Sequence, residues 1–145
     1  MAIGQDDAIV LTRIRLGLEA CYVMRGDLHR AAQIAVEAVA NTDWQRDPLL
    51  ALQSRWALAN VQFHRGHWRA ALTGFEVCLR HYRSAGHRRS AVQDPAVMCL
   101  GYSSWILFEL GRADEALDRI ERMLSHARAL EHPFSLAVAL SFAAS

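Results

Sequence analysis

Lysine is absent from this chain of 145 residues, and all 16 of its basic residues are arginines. Together with abundant alanine, this usage indicates a GC-rich genome and predicts a bacterial gene. The 15 acidic residues nearly balance the arginines, so no basic face and no nucleic-acid partner are expected. No apolar run approaches the roughly 20 residues of a membrane span, so we expect no membrane association either.

Cysteine is also scarce. Cys21, Cys78 and Cys99 are odd in number and lie in apolar, helix-like stretches. They are therefore predicted to be small buried side chains in a reducing compartment. The first ten residues contain no basic region followed by a long apolar core, so no signal peptide is expected. These observations together predict a cytoplasmic location.

Sequence motifs for catalysis and nucleotide binding are missing. The chain contains no GxxxxGK[ST], GxGxxG, GxSxG or HExxH, and no residues supply a base, a nucleophile and an orienting group together. We therefore expect neither an enzyme nor a cofactor site. His64 and His67 straddle a predicted helix break and Cys78 is predicted to face the core, so no metal site is expected.

One short pattern is present three times: a glycine between two apolar stretches, followed five residues later by an alanine. A repeat at fixed phase is typical of arrays of helix pairs. Each unit is predicted to be a helix, a tight turn at the glycine, and a second helix held close to the first by the small alanine. The three occurrences are Gly26 with Ala31, Gly66 with Ala71, and Gly111 with Ala116.

The three prolines mark helix starts, since proline suits the first helical position and the residue before it can cap free N–H groups. They are Pro48, Pro95 and Pro133, preceded by Asp47, Asp94 and His132. No alternating apolar run with hairpin chemistry is present, so no strand is expected. The predicted fold is all-α with seven helices, at about 6–24, 27–42, 48–65, 67–84, 95–110, 112–130 and from 133 onward.

These units resemble tetratricopeptide repeats, although their spacings of 40 and 45 residues exceed the family's 34 and its closing proline is absent. The resemblance implies antiparallel helix pairs stacked into a right-handed superhelix. It also implies one domain over 1–145, with repeats at 6–42, 48–84 and 95–130 and the first helix of a fourth at 133–145. The matching residues are Tyr22, Gly26, Asp27, Ala31 and Ala38; Trp56, Leu58, Ala59, Gly66, Ala71 and Phe75; and Leu107, Gly111 and Ala116.

The last third of the chain, from QDPAVMCLGYSSW to HPFSLAVALSFAA, is similar to the C-terminal repeat regions of large bacterial signalling proteins. Those proteins carry a nucleotide cyclase or kinase domain and an AAA-type ATPase module. The resemblance implies that this chain is part of such an array and contains no catalytic domain. The final apolar segment lacks its partner helix. We expect either a fragment of a longer protein or a homodimer through this uncapped C-terminal helix.

In this family the first helix of each pair lines a concave groove. Tryptophan and methionine with a few polar groups are typical of a recognition surface, although these aromatics could instead pack on the neighbouring repeat. A protein-interaction module that binds a peptide or helix is predicted, and a ligand-sensing domain that controls an attached cyclase or ATPase is the alternative. The predicted groove residues are Arg13, Trp56, Asn60, Phe63, His64, Met98, Trp105, Phe108 and Glu109.

Two further surfaces are candidate binding sites. The clamp by which some relatives hold a C-terminal carboxylate consists of Lys, Asn and Arg. Asn60 occupies one matching position, but the cationic residues are missing, because the others are Leu16, Ala20, Gly101 and Trp105. Binding of chaperone tails is therefore not expected. The basic residues His81, Arg83, His87, Arg88 and Arg89 are consistent either with a site for an acidic partner or with a solvated helix end.

Overall fold

The computed structural model describes residues 4–82 and 94–144, except for the side chains of Gln5 and Asp6. These residues form seven α-helices and no strand, which confirms the predicted all-α fold. Arg83, His87, Arg88 and Arg89 lie outside the described residues. The helices are α1 (Gln5–Met24), α2 (Leu28–Ala40), α3 (Pro48–His64), α4 (Trp68–His81), α5 (Pro95–Glu109), α6 (Ala113–Ala129) and α7 (Pro133–Ala143).

The three turns within the helix pairs share one geometry. Gly26, Gly66 and Gly111 have φ angles of 76°, 75° and 74°, in the left-handed region that glycine adopts without strain. In each turn the glycine N–H donates to the carbonyl three residues earlier. The next N–H donates to the carbonyl five residues earlier, with N···O distances between 2.8 and 3.0 Å. This Schellman motif ends the first helix, and the second helix begins at once.

The alanine of each repeated pattern lies where the paired helices touch. Ala31, Ala71 and Ala116 are buried, as predicted. In the second pair the approach is closer still, because a Cβ placed on Gly74 of α4 would lie only 2.7 Å from the Cβ of Ala59 on α3. Small side chains on both helices therefore set the distance between α3 and α4.

The proline-marked helix starts are confirmed as well. Pro48, Pro95 and Pro133 each open a helix, and the side chain before each proline accepts backbone N–H groups. Asp94 caps α5 through the N–H groups of Ala96 and Val97, at 2.9 and 3.1 Å. These caps satisfy donors that the first helical turn leaves without an intrahelical partner.

The chain divides into two compact units, Met1–Gly74 and Phe75–Ser145, and the division falls within α4. In the N-terminal unit α2 packs on both α1 and α3. Its core contains Ala31, Ala35, Ala57 and Val61. In the C-terminal unit α5 packs on α6 and α7.

The prediction for the cysteines is right for two of the three. Cys78 and Cys99 are buried, but Cys21 is exposed, so the prediction that all three are buried is wrong. The reason lies in α1, which has apolar residues on both of its sides. Cys21 belongs to the side that α2 and α3 leave uncovered, together with Ile14 and Leu18.

Candidate functional site

Four of the predicted groove residues lie on α3 in the N-terminal unit. Trp56 and Asn60 are one helical turn apart and therefore share a face. Asn60 is buried and Trp56 is half-buried. Trp56 Nε1 and Asn60 Oδ1 are both buried, and neither forms a hydrogen bond with the described residues. Among the described residues, this face of α3 therefore holds one donor and one acceptor without a partner.

Phe63 and His64 continue this surface to the end of α3. Their rings meet edge to face, with centroids 5.3 Å apart and an interplanar angle of 80°. Partial burial lowers the pKa of His64, so the neutral imidazole predominates at pH 7. The end of α3 is thus aromatic and uncharged at these two positions.

Arg13, the predicted groove residue of α1, is engaged in an ion pair. Its guanidinium lies 3.3 Å from Asp47 Oδ2, while the other carboxylate oxygen of Asp47 caps α3 through the N–H of Leu50. The pair joins α1 to the start of α3. A ligand at Arg13 therefore meets a compensated charge and not a free cation.

In the C-terminal unit Trp105 packs on α7. Its ring lies 4.6 Å from that of Phe142 and 5.9 Å from that of Tyr102, centroid to centroid. Phe142 also lies over Gly101, where an added Cβ would come within 2.6 Å of the phenyl ring. The Trp105 ring is therefore part of the contact between α5 and α7.

The other predicted residues of α5 differ in accessibility. Met98 is buried in the core of its unit, whereas Phe108 is 68% exposed and Glu109 is exposed as well. Phe108 stands at the last turn of α5, next to the glycine turn. An exposed aromatic and a carboxylate are thus available to a partner at this end of α5.

Sequence reasoning missed Glu19, which is only 2% exposed. Burial raises the pKa of Glu19 to about 7, and its Oε1 has no hydrogen-bond partner among the described residues. The turn glycines place Glu19 in register with Ala59, the residue in close contact with Gly74. This correspondence was the available sequence signal for a buried carboxyl, because Glu19 stands where the second helix pair has the small contact residue Ala59.

A second polar cluster centres on Asp94 in the C-terminal unit. Tyr82 Oη lies 2.5 Å from Asp94 Oδ2, and His126 Nε2 lies 3.1 Å from Oδ1. Burial would raise the pKa of Asp94, but hydrogen bonds from His126, Tyr82 and the N–H of Val97 outweigh it and lower the pKa. The carboxylate joins the end of α4 to α5 and α6, which is a structural role.

The N-terminal unit also contains a cavity of about 300 Å³ beside the connection from α2 to α3. The side chain of Arg46 lines it and forms no ion pair with the described residues. Asp43 and Asp47 line the cavity as well. The remaining lining residues are Ala8, Ile9, Thr12, Ala40, Asn41, Thr42 and Leu50.

Neither a metal-binding cluster nor a membrane-spanning helix is present within residues 4–82 and 94–144. These residues contain no group of three or more His, Cys, Asp or Glu side chains placed to hold a metal ion. Within the same ranges, none of the helices combines the length and the apolar character needed to cross a membrane.

No protein-family model, curated protein or solved structure matches this chain. The likeness to tetratricopeptide repeats therefore remains a resemblance carried by the chain's own residues.

Proposed function

We propose that this chain is a protein-interaction module of the helix-pair repeat type, and that it binds an extended peptide or a helix on the α3 face. The observation that carries the proposal is the pair of buried, unsatisfied atoms, Trp56 Nε1 and Asn60 Oδ1. Buried polar groups are almost always hydrogen-bonded, and leaving one unpaired costs about 1–3 kcal/mol. Two such atoms one turn apart would gain hydrogen bonds if a bound segment displaced the side chains that cover them.

A peptide suits this pair because each peptide unit offers one N–H donor and one carbonyl acceptor. The Trp56 indole N–H can donate to the carbonyl, and Asn60 Oδ1 can accept from the N–H. Phe63 and the neutral His64 add aromatic surface at the same end of α3. Apolar side chains of the partner would lie there, as in the recognition of extended segments and helices by grooves.

The finer assignments belong to the same proposal. We propose a binding role without catalysis, in the cytoplasm of a bacterium, as part of a signalling protein. Cys78 and Cys99 are buried and form no disulfide within the described residues, which is in keeping with a reducing compartment. The repeated geometry at Gly26, Gly66 and Gly111 supports a stacked array of helix pairs.

The test uses peptides selected from a random library against the natural chain, with affinities measured by calorimetry. Trp56→Phe keeps an aromatic ring, although a smaller one, and removes the N–H, and Asn60→Leu removes the amide at similar volume. Each change is expected to weaken binding about tenfold, the equivalent of 1.4 kcal/mol. Gln33→Ala, on the exposed side of α2, is the control and is expected to bind as the natural chain does. Equal affinities for all four proteins would contradict the proposal.

The cavity beside Arg46 favours the second candidate function, binding of a small ligand by a sensor domain. Its volume lies at the lower end of the range for small-molecule sites. The guanidinium of Arg46, which forms no ion pair with the described residues, suits an anionic group. A panel of small carboxylates and phosphates, screened by thermal shift, tests this function. A ligand that raises Tm for the natural chain but not for Arg46→Met would support the sensor function. If no compound shifts Tm, the sensor function is contradicted.

A further inference from the structure

A row of apolar residues runs along the exposed side of α1. Its members lie three or four residues apart, so they share one face, and from first to last they cover about 21 Å of helix. No charged side chain belongs to the row. We call it the α1 stripe: Val10 (55% exposed), Ile14 (63%), Leu18 (46%) and Met24 (86%), with exposed Gly17 and Cys21 between them.

The α1 stripe is unlike a solvated helix face. The opposite side of α1 is also apolar, since Leu16, Tyr22 and Val23 pack against the core of the unit. A helix that is apolar on both sides is typical of one covered on both. A contiguous exposed apolar patch marks an interaction site. Gly17 weakens the middle of the helix, yet a Cβ placed there would have no neighbour within 4 Å. Its small size therefore serves no contact within the described residues.

The internal repeat identifies the corresponding face of the next pair. The turn glycines Gly26 and Gly66 are 40 residues apart, and the same step carries the α1 stripe onto α3. On α3 this face is covered, because every corresponding residue before the last turn of the helix is buried or half-buried. The corresponding residues are Leu50, Ser54, Ala57, Leu58 and Val61.

The helix that covers this face of α3 is also defined. Ala57 and Val61 form one cluster with Ala31 and Ala35 of α2, and Leu16 of α1 packs against the same cluster. This face of α3 is therefore covered by α2, the second helix of the preceding pair, through two alanines one turn apart. The first helix of that pair, α1, lies at the border of the contact.

We propose that the α1 stripe is a docking surface for a further helix pair of this same repeat type, whose second helix presents small residues as α2 does to α3. The residue sizes support this occupant. Ile14 stands where α3 has Ser54, so the facing helix must carry alanine or glycine at that point. Gly17 stands where α3 has Ala57 and leaves a recess beside Ile14 and Leu18.

The experiment supplies such a pair in the same register. Residues 4–47 are joined directly to residues 8–145, so that the added α2 leads into α1 as the natural α2 leads into α3. The added copy carries Cys21→Ser. Since Cys78 and Cys99 are buried, the inner Cys21 is then the thiol that reports on the α1 stripe. In the matched control the Cys21→Ser substitution is in the inner copy instead, so that Cys21 remains only in the outer, added copy.

The rate of reaction with a maleimide or a disulfide reagent is the readout. The inner Cys21 is expected to react at least tenfold more slowly than Cys21 of the natural chain, and the outer Cys21 as fast. Equal rates for the inner and outer thiols would overturn the proposal. So would an extended chain in which all three thiols react quickly, because a docked pair must fold with the rest.

Measurements on the natural chain distinguish docking of a further helix pair from self-association of two copies. If Cys21 becomes protected as protein concentration rises, and the mass measured by light scattering doubles in parallel, then a second copy covers the α1 stripe. That result would also overturn the proposal. A Cys21 rate independent of concentration, together with slow reaction of the inner thiol, supports it.

Discussion

A Cβ placed on Gly74 would lie 2.7 Å from the Cβ of Ala59, closer than two such atoms can approach. Because Ala59 Cβ is fixed to the α3 backbone, it cannot move aside without moving the helix. We expect Gly74→Ala to separate α3 from α4 and to lower the free energy of unfolding by about 1–3 kcal/mol, as overpacking does. Urea denaturation followed by circular dichroism measures the change.

The matched control for this substitution is Gly17→Ala. Gly17 also lies within a helix, but an added Cβ there meets nothing within 4 Å. Alanine is the better helix former, so Gly17→Ala is expected to stabilise the chain by about 0.5–1 kcal/mol. If Gly74→Ala were stabilising too, the close contact with Ala59 would not be what holds glycine there.

The turn preceding α7 differs from the three glycine turns. Glu131 has φ 52°, in the left-handed region, whereas Gly26, Gly66 and Gly111 fill that position in the other turns. A non-glycine residue there costs about 1–2 kcal/mol. We expect Glu131→Gly to raise the free energy of unfolding by about 1 kcal/mol.

The reverse substitution tests the same strain. Gly66→Ala places a side chain at φ 75° and is expected to lower the free energy of unfolding by about 1 kcal/mol. Chemical denaturation of both variants beside the natural chain provides the comparison. Changes of the same sign in both variants would contradict the strain argument.

Glu19 should make stability depend on pH. Its pKa rises from 4.5 to about 7 on burial, so the native state keeps a proton that the unfolded state loses. The contribution of Glu19 to the free energy of unfolding is therefore fully present below pH 4.5. It falls as the pH rises towards 7 and is constant above that pH. The loss is about 2–3 kcal/mol.

Glu19→Gln removes this titration. The variant is expected to match the natural chain near pH 4.5 and to be more stable at pH 8 by about 2–3 kcal/mol. Unfolding by urea at pH 4.5, 6, 7 and 8 gives the difference directly, and other titrating groups cancel between the two proteins. A difference that stays flat with pH would show that Glu19 is ionised in the native state.

The exposed side of α7 should drive self-association. Phe134 is 46% and Leu140 is 50% exposed, with exposed Ala137 between them. We expect the natural chain to dimerise with rising concentration, and Phe134→Ser combined with Leu140→Gln to remain monomeric in light scattering. The control is Ile14→Gln with Leu18→Gln, which should still dimerise. A natural chain that stays monomeric at high concentration would contradict this prediction.

Much of the local architecture could be read directly from residue types. Gly26, Gly66 and Gly111 mark turns because only glycine enters the left-handed region without strain, and Pro48, Pro95 and Pro133 mark starts because proline lacks the N–H. Each is a property of one residue and its neighbours in sequence. The predicted helix bounds were therefore close to the observed ones throughout the described residues.

Other features depended on contacts between residues far apart in the chain. An apolar stretch indicates that a helix has something to bury, but not which of its sides is covered. Cys21 and Ile14 lie on the uncovered side of α1, while Glu19 is buried against the rest of its unit. Trp105 was predicted to line a groove, and its ring packs on Phe142 of α7.

The difference between features that the sequence predicts and features that only packing decides has a physical cause. Turn geometry, capping and helical phase are decided within about five residues, so amino-acid identity alone determined the seven helices and their turns. Burial, pKa shifts and unsatisfied hydrogen-bonding groups depend on which helix covers which face. Tertiary packing alone therefore decided the buried carboxyl of Glu19, the exposed α1 stripe, and the buried atoms of Trp56 and Asn60 that lack a partner in the described part of the chain.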